Sequence, residues 1–166
     1  MRRGSVVLAA AGLVLQAGAA IACETIPATA HSPLEVRKPL LGNETRLVSG
    51  FGLRTHPILA ITRMHTGVDW HAPVGTTVIA TGRGRVAAAG SAGELGNRVI
   101  VDHGGRWQTV YAHLQSITVG EGDCVEAGTP IAMSGTTGLT SGPQLHFEVR
   151  RDGQPVDPLM LPVLEK

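Results

Sequence analysis

Aromatic side chains are scarce: two Trp, two Phe and one Tyr make up 3% of the 166 residues. So few rings cannot build a stacking platform for single-stranded nucleic acid. A formal net charge of +1, from 14 basic and 13 acidic residues, is no footprint for a phosphate backbone either, which excludes nucleic acid as a partner. Long apolar runs are also missing. The one sustained run, Val6 to Leu15, falls short of the roughly 20 residues a membrane-spanning helix needs, so no transmembrane segment is expected. Beyond it, no stretch of ten or so residues carries a helical period of 3.6.

Cysteine is limited to Cys23 and Cys124, and the N-terminus decides how they are read. Arg2 and Arg3 precede the apolar run, and Ala20-Ile21-Ala22 closes it with small residues, which is the layout of a secretory signal peptide over residues 1–22. Export to the periplasm or the extracellular medium follows. Without that segment, 14 − 2 = 12 basic residues face 13 acidic ones, a net charge of −1 that selects no partner. In an oxidising compartment Cys23 and Cys124 can form a disulfide. Cys23 can instead carry a lipid that anchors the chain to a membrane, leaving Cys124 as a small apolar side chain. Residues 23–45, with Pro27, Pro33 and Pro39 and no sustained period, read as a tether or wrapping arm, and residues 46–162 as the globular domain.

Glycine is abundant by contrast, with 22 residues. From Ser49 onward it punctuates short runs of Val, Ile and Thr, the pattern of an antiparallel, all-β domain. The clearest strands are Arg98 to Asp102, Thr109 to Leu114 and Leu145 to Arg150. The first two flank the turn sequence Asp102-His103-Gly104-Gly105-Arg106 and should pair as a hairpin. In the third, alternation puts Leu145, Phe147 and Val149 toward a core, and His146, Glu148 and Arg150 on the other face, with Gln144 joining them.

Histidine carries the chemistry. His65 and Asp69 stand four apart, His113 follows in Tyr111-Ala112-His113-Leu114, and His146 in Gln144-Leu145-His146-Phe147-Glu148. Imidazole nitrogen and carboxylate oxygen are donors that Zn²⁺ accepts, and a catalytic zinc takes three protein ligands and leaves one position open. Two His and one Asp fit that count, although each residue alone has an ordinary structural reading as well.

Four ordered motifs give the chain a resemblance: Ser49-Gly50-Phe51-Gly52-Leu53-Arg54-Thr55-His56-Pro57-Ile58, His65 to Pro73, Tyr111 to Leu114, and Gly142-Pro143-Gln144-Leu145-His146-Phe147-Glu148. With the connecting Val119 to Asp123 and the tail Gly153 to Pro158, the chain resembles the LytM/lysostaphin-like M23 zinc metallopeptidases, which cut peptide cross-links of bacterial peptidoglycan. The resemblance implies an antiparallel β-sheet domain with a groove, of the duplicated-hybrid-motif kind. It also implies Zn²⁺ held by His65, Asp69 and His146, with His113 beside the attacking water or the oxyanion. His56 and Tyr111 stand as substrate contacts, His56 having a turn before Pro57 as its other reading. The segment Gly135 to Gly138 is a turn former that borders the groove.

One position departs from the family pattern. A histidine that acts as general base usually stands two residues before the last zinc ligand, and here that residue is Gln144. An amide orients water but takes no proton. Two functions follow: an exported zinc endopeptidase acting on peptidoglycan stem peptides, with His113 as the base; or a weakened LytM-like module that binds wall peptide or regulates a partner wall hydrolase. Glu148 reads as a hydrogen-bond partner behind the site or a solvated residue. His103, in its Gly-rich turn, reads as a surface residue, and neither it nor His71 or His31 is assigned a metal role.

Overall fold

The computed structural model describes residues 37–56 and 58–161. The expected signal peptide, Cys23, His31 and most of the arm lie outside them. Short β-branched runs broken by glycine can satisfy their backbone only by pairing with neighbours, and the described chain is antiparallel β throughout. Its only helical pieces are two 3₁₀ turns, Gly93–Leu95 and Pro158–Met160. No helix among the described residues is long and apolar enough to cross a membrane.

The strands are β1 (Arg46–Ser49), β2 (Gly52–Thr55), β3 (Thr62–His65), β4 (Val68–His71), β5 (Thr77–Ile79), β6 (Gly84–Ser91), β7 (Asn97–Gly104), β8 (Trp107–Ile117), β9 (Cys124–Val125), β10 (Pro130–Ser134), β11 (Gln144–Arg151) and β12 (Gln154–Val156). One ten-stranded sheet runs β1-β4-β11-β8-β7-β6-β9, with β10 on β8 and β5, and β12 on β11; β2 and β3 form a separate hairpin. The β7–β8 hairpin is the expected one, but its loop is only Gly105-Arg106, since Gly104 already pairs with Trp107. Both loop residues have positive φ, 55° and 75°, the primed turn whose twist matches the strands it joins. His103 therefore lies within β7 rather than in the turn, and is half-buried. Its Nδ1 donates to the Arg83 carbonyl (2.7 Å) and its Nε2 meets the Thr109 hydroxyl at 2.8 Å. Burial lowers its pKa.

The core collects Val99, Val101, Val110, Leu114, Leu145, Phe147 and Val149, all essentially inaccessible. Tyr111 belongs to this core and is not a substrate contact. It is 0% exposed, its ring lies 5.3 Å from that of Phe147, and its hydroxyl accepts from the Thr81 N–H and meets the hydroxyls of Thr81 and Thr109. Alternation holds along β11, yet the expected polar face is buried too: His146 and Glu148 are 5% and 2% exposed. The arm wraps onto the sheet where it is described. Leu40 is buried and bridges to Val78, Ile79 N–H donates to the Pro39 carbonyl, and Lys38 stands 5.4 Å from the Trp70 ring centroid. Cys124 is disulfide-bonded and so is not a free buried thiol; the other cysteine of the sequence, Cys23, lies outside the described residues.

Candidate metal centre

His65 and Asp69 meet because the chain changes sheets between them. β3 ends at His65, and β4 begins at Val68 beside β11, with Asp69 opposite His146 and Val68 opposite Phe147. The corner passes so close to β11 that a Cβ on Gly67 would lie 2.3 Å from the Phe147 carbonyl oxygen, a distance only glycine permits. His65-Thr66-Gly67-Val68-Asp69 is thus a crossover that drops two donors onto the third.

His113 is placed by a second local device. β8 pairs with β11 as far as Ala112, opposite His146, and from Leu114 it pairs with β10. On its other side, Asn97 and Val99 of β7 oppose Leu114 and Tyr111, so β8 carries one extra residue there. This is a β-bulge, which re-aims a side chain. His113 sits at that corner with φ = 62°, a left-handed conformation that costs a non-glycine residue about 1–3 kcal/mol and persists only where its surroundings impose it.

Three buried ligand atoms converge: His65 Nε2, His146 Nδ1 and Asp69 Oδ1. Their separations are 3.1 Å between the nitrogens, and 3.2 and 2.8 Å from Asp69 Oδ1 to His65 and His146. A tetrahedral zinc with bonds of 2.0–2.1 Å needs donor separations of about 3.3–3.4 Å, so the triangle is close to the size the ion requires. The tautomers agree as well. His65 Nδ1–H donates to the Gly50 carbonyl (2.6 Å), and His146 Nε2 faces Glu148 Oε1 at 3.1 Å, so each ring turns its other nitrogen to the centre. The donor set fits zinc, with the outer partners such a site needs.

Electrostatics hold the third donor. Arg54 Nη2 donates to Asp69 Oδ2 at 3.1 Å, leaving Oδ1 for the two histidines. Burial opposes the charge of Asp69, but hydrogen bonds from His146 and His65 outweigh it and keep the carboxyl well below its usual range. Burial likewise opposes charge on His146, yet Asp69 and Glu148 on its two nitrogens push it up to about 9. Burial disfavours ionised Glu148 too, but His146, Thr66 and Arg150 lower it to about 2. Arg150 contacts Glu148 Oε2 through Nε (2.7 Å) and Nη2 (2.5 Å). Glu148 is thus the buried partner behind the site.

His113 stands across from the donors, its ring centroid 5.9 Å from that of His146. Its Nδ1–H donates to the Thr137 carbonyl (2.8 Å), which leaves Nε2 as the basic nitrogen of the neutral ring. Burial lowers its pKa. The loop that carries Thr137 is pinned: Thr137 Oγ1 accepts from Asn97 N–H and donates to the Leu114 carbonyl. Gln144 and His113 both line the groove over the centre, and Gln144 N–H donates to the Gly135 carbonyl. His56 lines it too, while its Nδ1 accepts from the N–H groups of Ile58 and Leu59, so it also closes a turn.

Arg54 lies within the stretch Ser49 to Ile58 but its residue type alone does not mark it as the partner of Asp69, and nothing in the sequence marks the carbonyls of Gly50 and Thr137. Alternation along β11 was the signal for Glu148; a carbonyl partner leaves no signal in side-chain identity.

The sequence model of peptidase family M23 matches residues 63–158. The DD-carboxypeptidase/endopeptidase Mpg of Neisseria meningitidis is 45% identical over 115 residues, covering 69% of this chain and 26% of that protein. The peptidoglycan DD-endopeptidase ShyB of Vibrio cholerae is 38% identical over 113 residues, 68% of this chain and 26% of that protein. The chain spans about a quarter of the length of these curated relatives. The crystal structure of a zinc-containing peptidase from Vibrio cholerae superposes with a TM-score of 0.71 at 32% identity, over 79% of this chain and 41% of that one.

Proposed function

The chain belongs to peptidase family M23, whose cofactor is zinc, and on that footing we propose that it is an exported hydrolase of peptide links in bacterial peptidoglycan. His65, Asp69 and His146 hold the metal. When bound, zinc supplies Lewis acidity, activating water and polarising the scissile carbonyl. His113 handles the proton. Its Nε2 takes a proton from the attacking water as the new C–O bond forms, and returns it to the leaving amine as the C–N bond breaks. The Thr137 carbonyl holds the Nδ1–H meanwhile, and burial keeps the ring neutral and ready to accept.

The observation that carries this reading is the convergence of three buried donors with fixed tautomers beside a strained, re-aimed histidine. A binding module has no use for a backbone conformation that costs stability to aim an imidazole into a groove.

Gln144 favours a second reading, a weakened module that holds wall peptide without cutting it, because an amide at the usual base position can orient water but cannot accept its proton. The test follows release of muropeptides from isolated walls by the zinc-loaded chain, with and without a chelator. Chelator-sensitive release is expected. His113→Ala should lower it by about 10²–10⁴-fold, the usual worth of a general base, while Gln144→His should raise it. No release by a chain holding one zinc supports the binding module instead.

A further inference from the structure

The groove continues past the three donors along β3. Arg63 stands two residues before His65, so alternation turns both side chains to the groove, about 7 Å apart along the strand. Arg54 stands directly opposite Arg63 on β2. Like charges in that position repel, and the two guanidiniums part company. Arg54 reaches Asp69 at 3.1 Å, and Arg63 reaches across to Glu94, in the 3₁₀ turn of the facing wall, at 2.9 Å.

The two pairs differ in what a ligand could displace. Asp69 is buried and committed to the centre, whereas Arg63 and Glu94 are 40% and 57% exposed in their side chains. An ion pair so exposed contributes little, because water screens it, and water can solvate Glu94 alone. A guanidinium has five N–H donors in a fork that fits a carboxylate, and the single contact to Glu94 leaves most of them available. The charged lining is Arg54, Arg63, Asp69 and Glu94, two cations against two anions, so a divalent ion at the donors makes the lining net positive and attracts an anionic ligand.

We propose that Arg63 is a specificity-determining residue that reads a free carboxylate close to the scissile link, with Glu94 as the internal carboxylate that occupies it until substrate arrives. The proposal rests on the reading of the groove as a peptide-hydrolysing site. An extended peptide advances about 3.4 Å per residue, so Arg63 lies within one or two residues of a carbonyl held at the donors. A direct link in which the residue supplying the amide nitrogen keeps its own carboxylate satisfies Arg63. A short bridge of neutral residues does not.

The experiment uses the full zinc-loaded chain and two synthetic D-alanyl peptides, identical except that the residue after the scissile bond bears a carboxylate in one and a carboxamide in the other. Cleavage gives kcat and KM, and calorimetry on N-methylated, uncleavable versions gives binding separately. The carboxylate peptide should be preferred about tenfold, mainly in KM, the scale of one charge-assisted hydrogen bond. Arg63→Gln should bring it down to the carboxamide level, and Glu94→Gln should shift its KM the opposite way, downward. Equal treatment of the two peptides by the unmodified chain overturns the proposal. So does a shift in the same direction for Arg63→Gln and Glu94→Gln, which marks a structural strut. Binding that discriminates without cleavage keeps the carboxylate subsite and removes the hydrolase, and binding of neither peptide overturns both.

Discussion

Replacing Glu148 by Gln separates charge from shape behind the centre. Glu148 is 2% exposed and receives His146 Nε2–H and the Thr66 hydroxyl on Oε1, and the Arg150 guanidinium on Oε2. A glutamine fills the same volume and can still accept from His146, but its NH₂ must then face the donors of Arg150. Arg150, with a side chain 26% exposed, can turn to water, so the fold should survive. What is lost is the negative charge that makes the His146 ring a better donor to metal. A hydrogen bond to a charged group contributes about 1.5–3 kcal/mol and a neutral one about 0.5–1.5, a difference near 1–1.5 kcal/mol, or about tenfold in zinc affinity. That lies within the roughly 10–100-fold range for the outer partners of metal-binding histidines. Competition against a fluorescent chelator measures the affinity, and circular dichroism confirms the fold. Glu148→Ala, which removes acceptor and charge together, should fall further. An affinity for Glu148→Gln within twofold of the unmodified chain refutes the argument that Glu148 tunes the metal through His146.

Two further outcomes follow from the same geometry. Gly67→Ala puts a Cβ against the backbone of Phe147, so β4 must part from β11. Thermal unfolding should show a loss of about 1–3 kcal/mol, typical of overpacking, and chelator competition a weakened zinc site. The zinc-free protein should lose stability as pH rises. His146 has a folded pKa of about 9 against 6.5 when unfolded, so its contribution is complete below 6.5 and fades on approach to 9. Zinc takes that proton's place, so melting curves of the zinc-loaded chain should show a smaller decline between pH 6.5 and 9, and parallel declines refute the assignment.

The all-β architecture was legible from residue types, because period-two alternation and glycine punctuation are local properties of a chain. So was Glu148 sharing a strand face with His146. The set His65, Asp69, His113, Gln144 and His146 was singled out by the ordered motifs and the family they resemble, since spacing alone says little about a ligand. Tyr111 was misread because it stands two residues before His113, which alternation would place on the same face of β8; the bulge at His113 turns that imidazole to the groove while the Tyr111 ring stays in the core. His103 was placed in the turn because its Gly-rich neighbours suggest a longer loop; the loop is two residues long, so His103 belongs to β7 and is half-buried.

The amino-acid order determined by itself which donors exist and which strands carry them. Only the tertiary structure decided that they meet: His65 and His146 are 81 residues apart, and whether their nitrogens approach to 3.1 Å depends on Gly67 letting one strand cross close over another. The backbone partners, Gly50 for His65 and Thr137 for His113, belong to that second category. Every residue has a carbonyl, so nothing in side-chain identity marks the one that fixes a tautomer until packing brings it within reach.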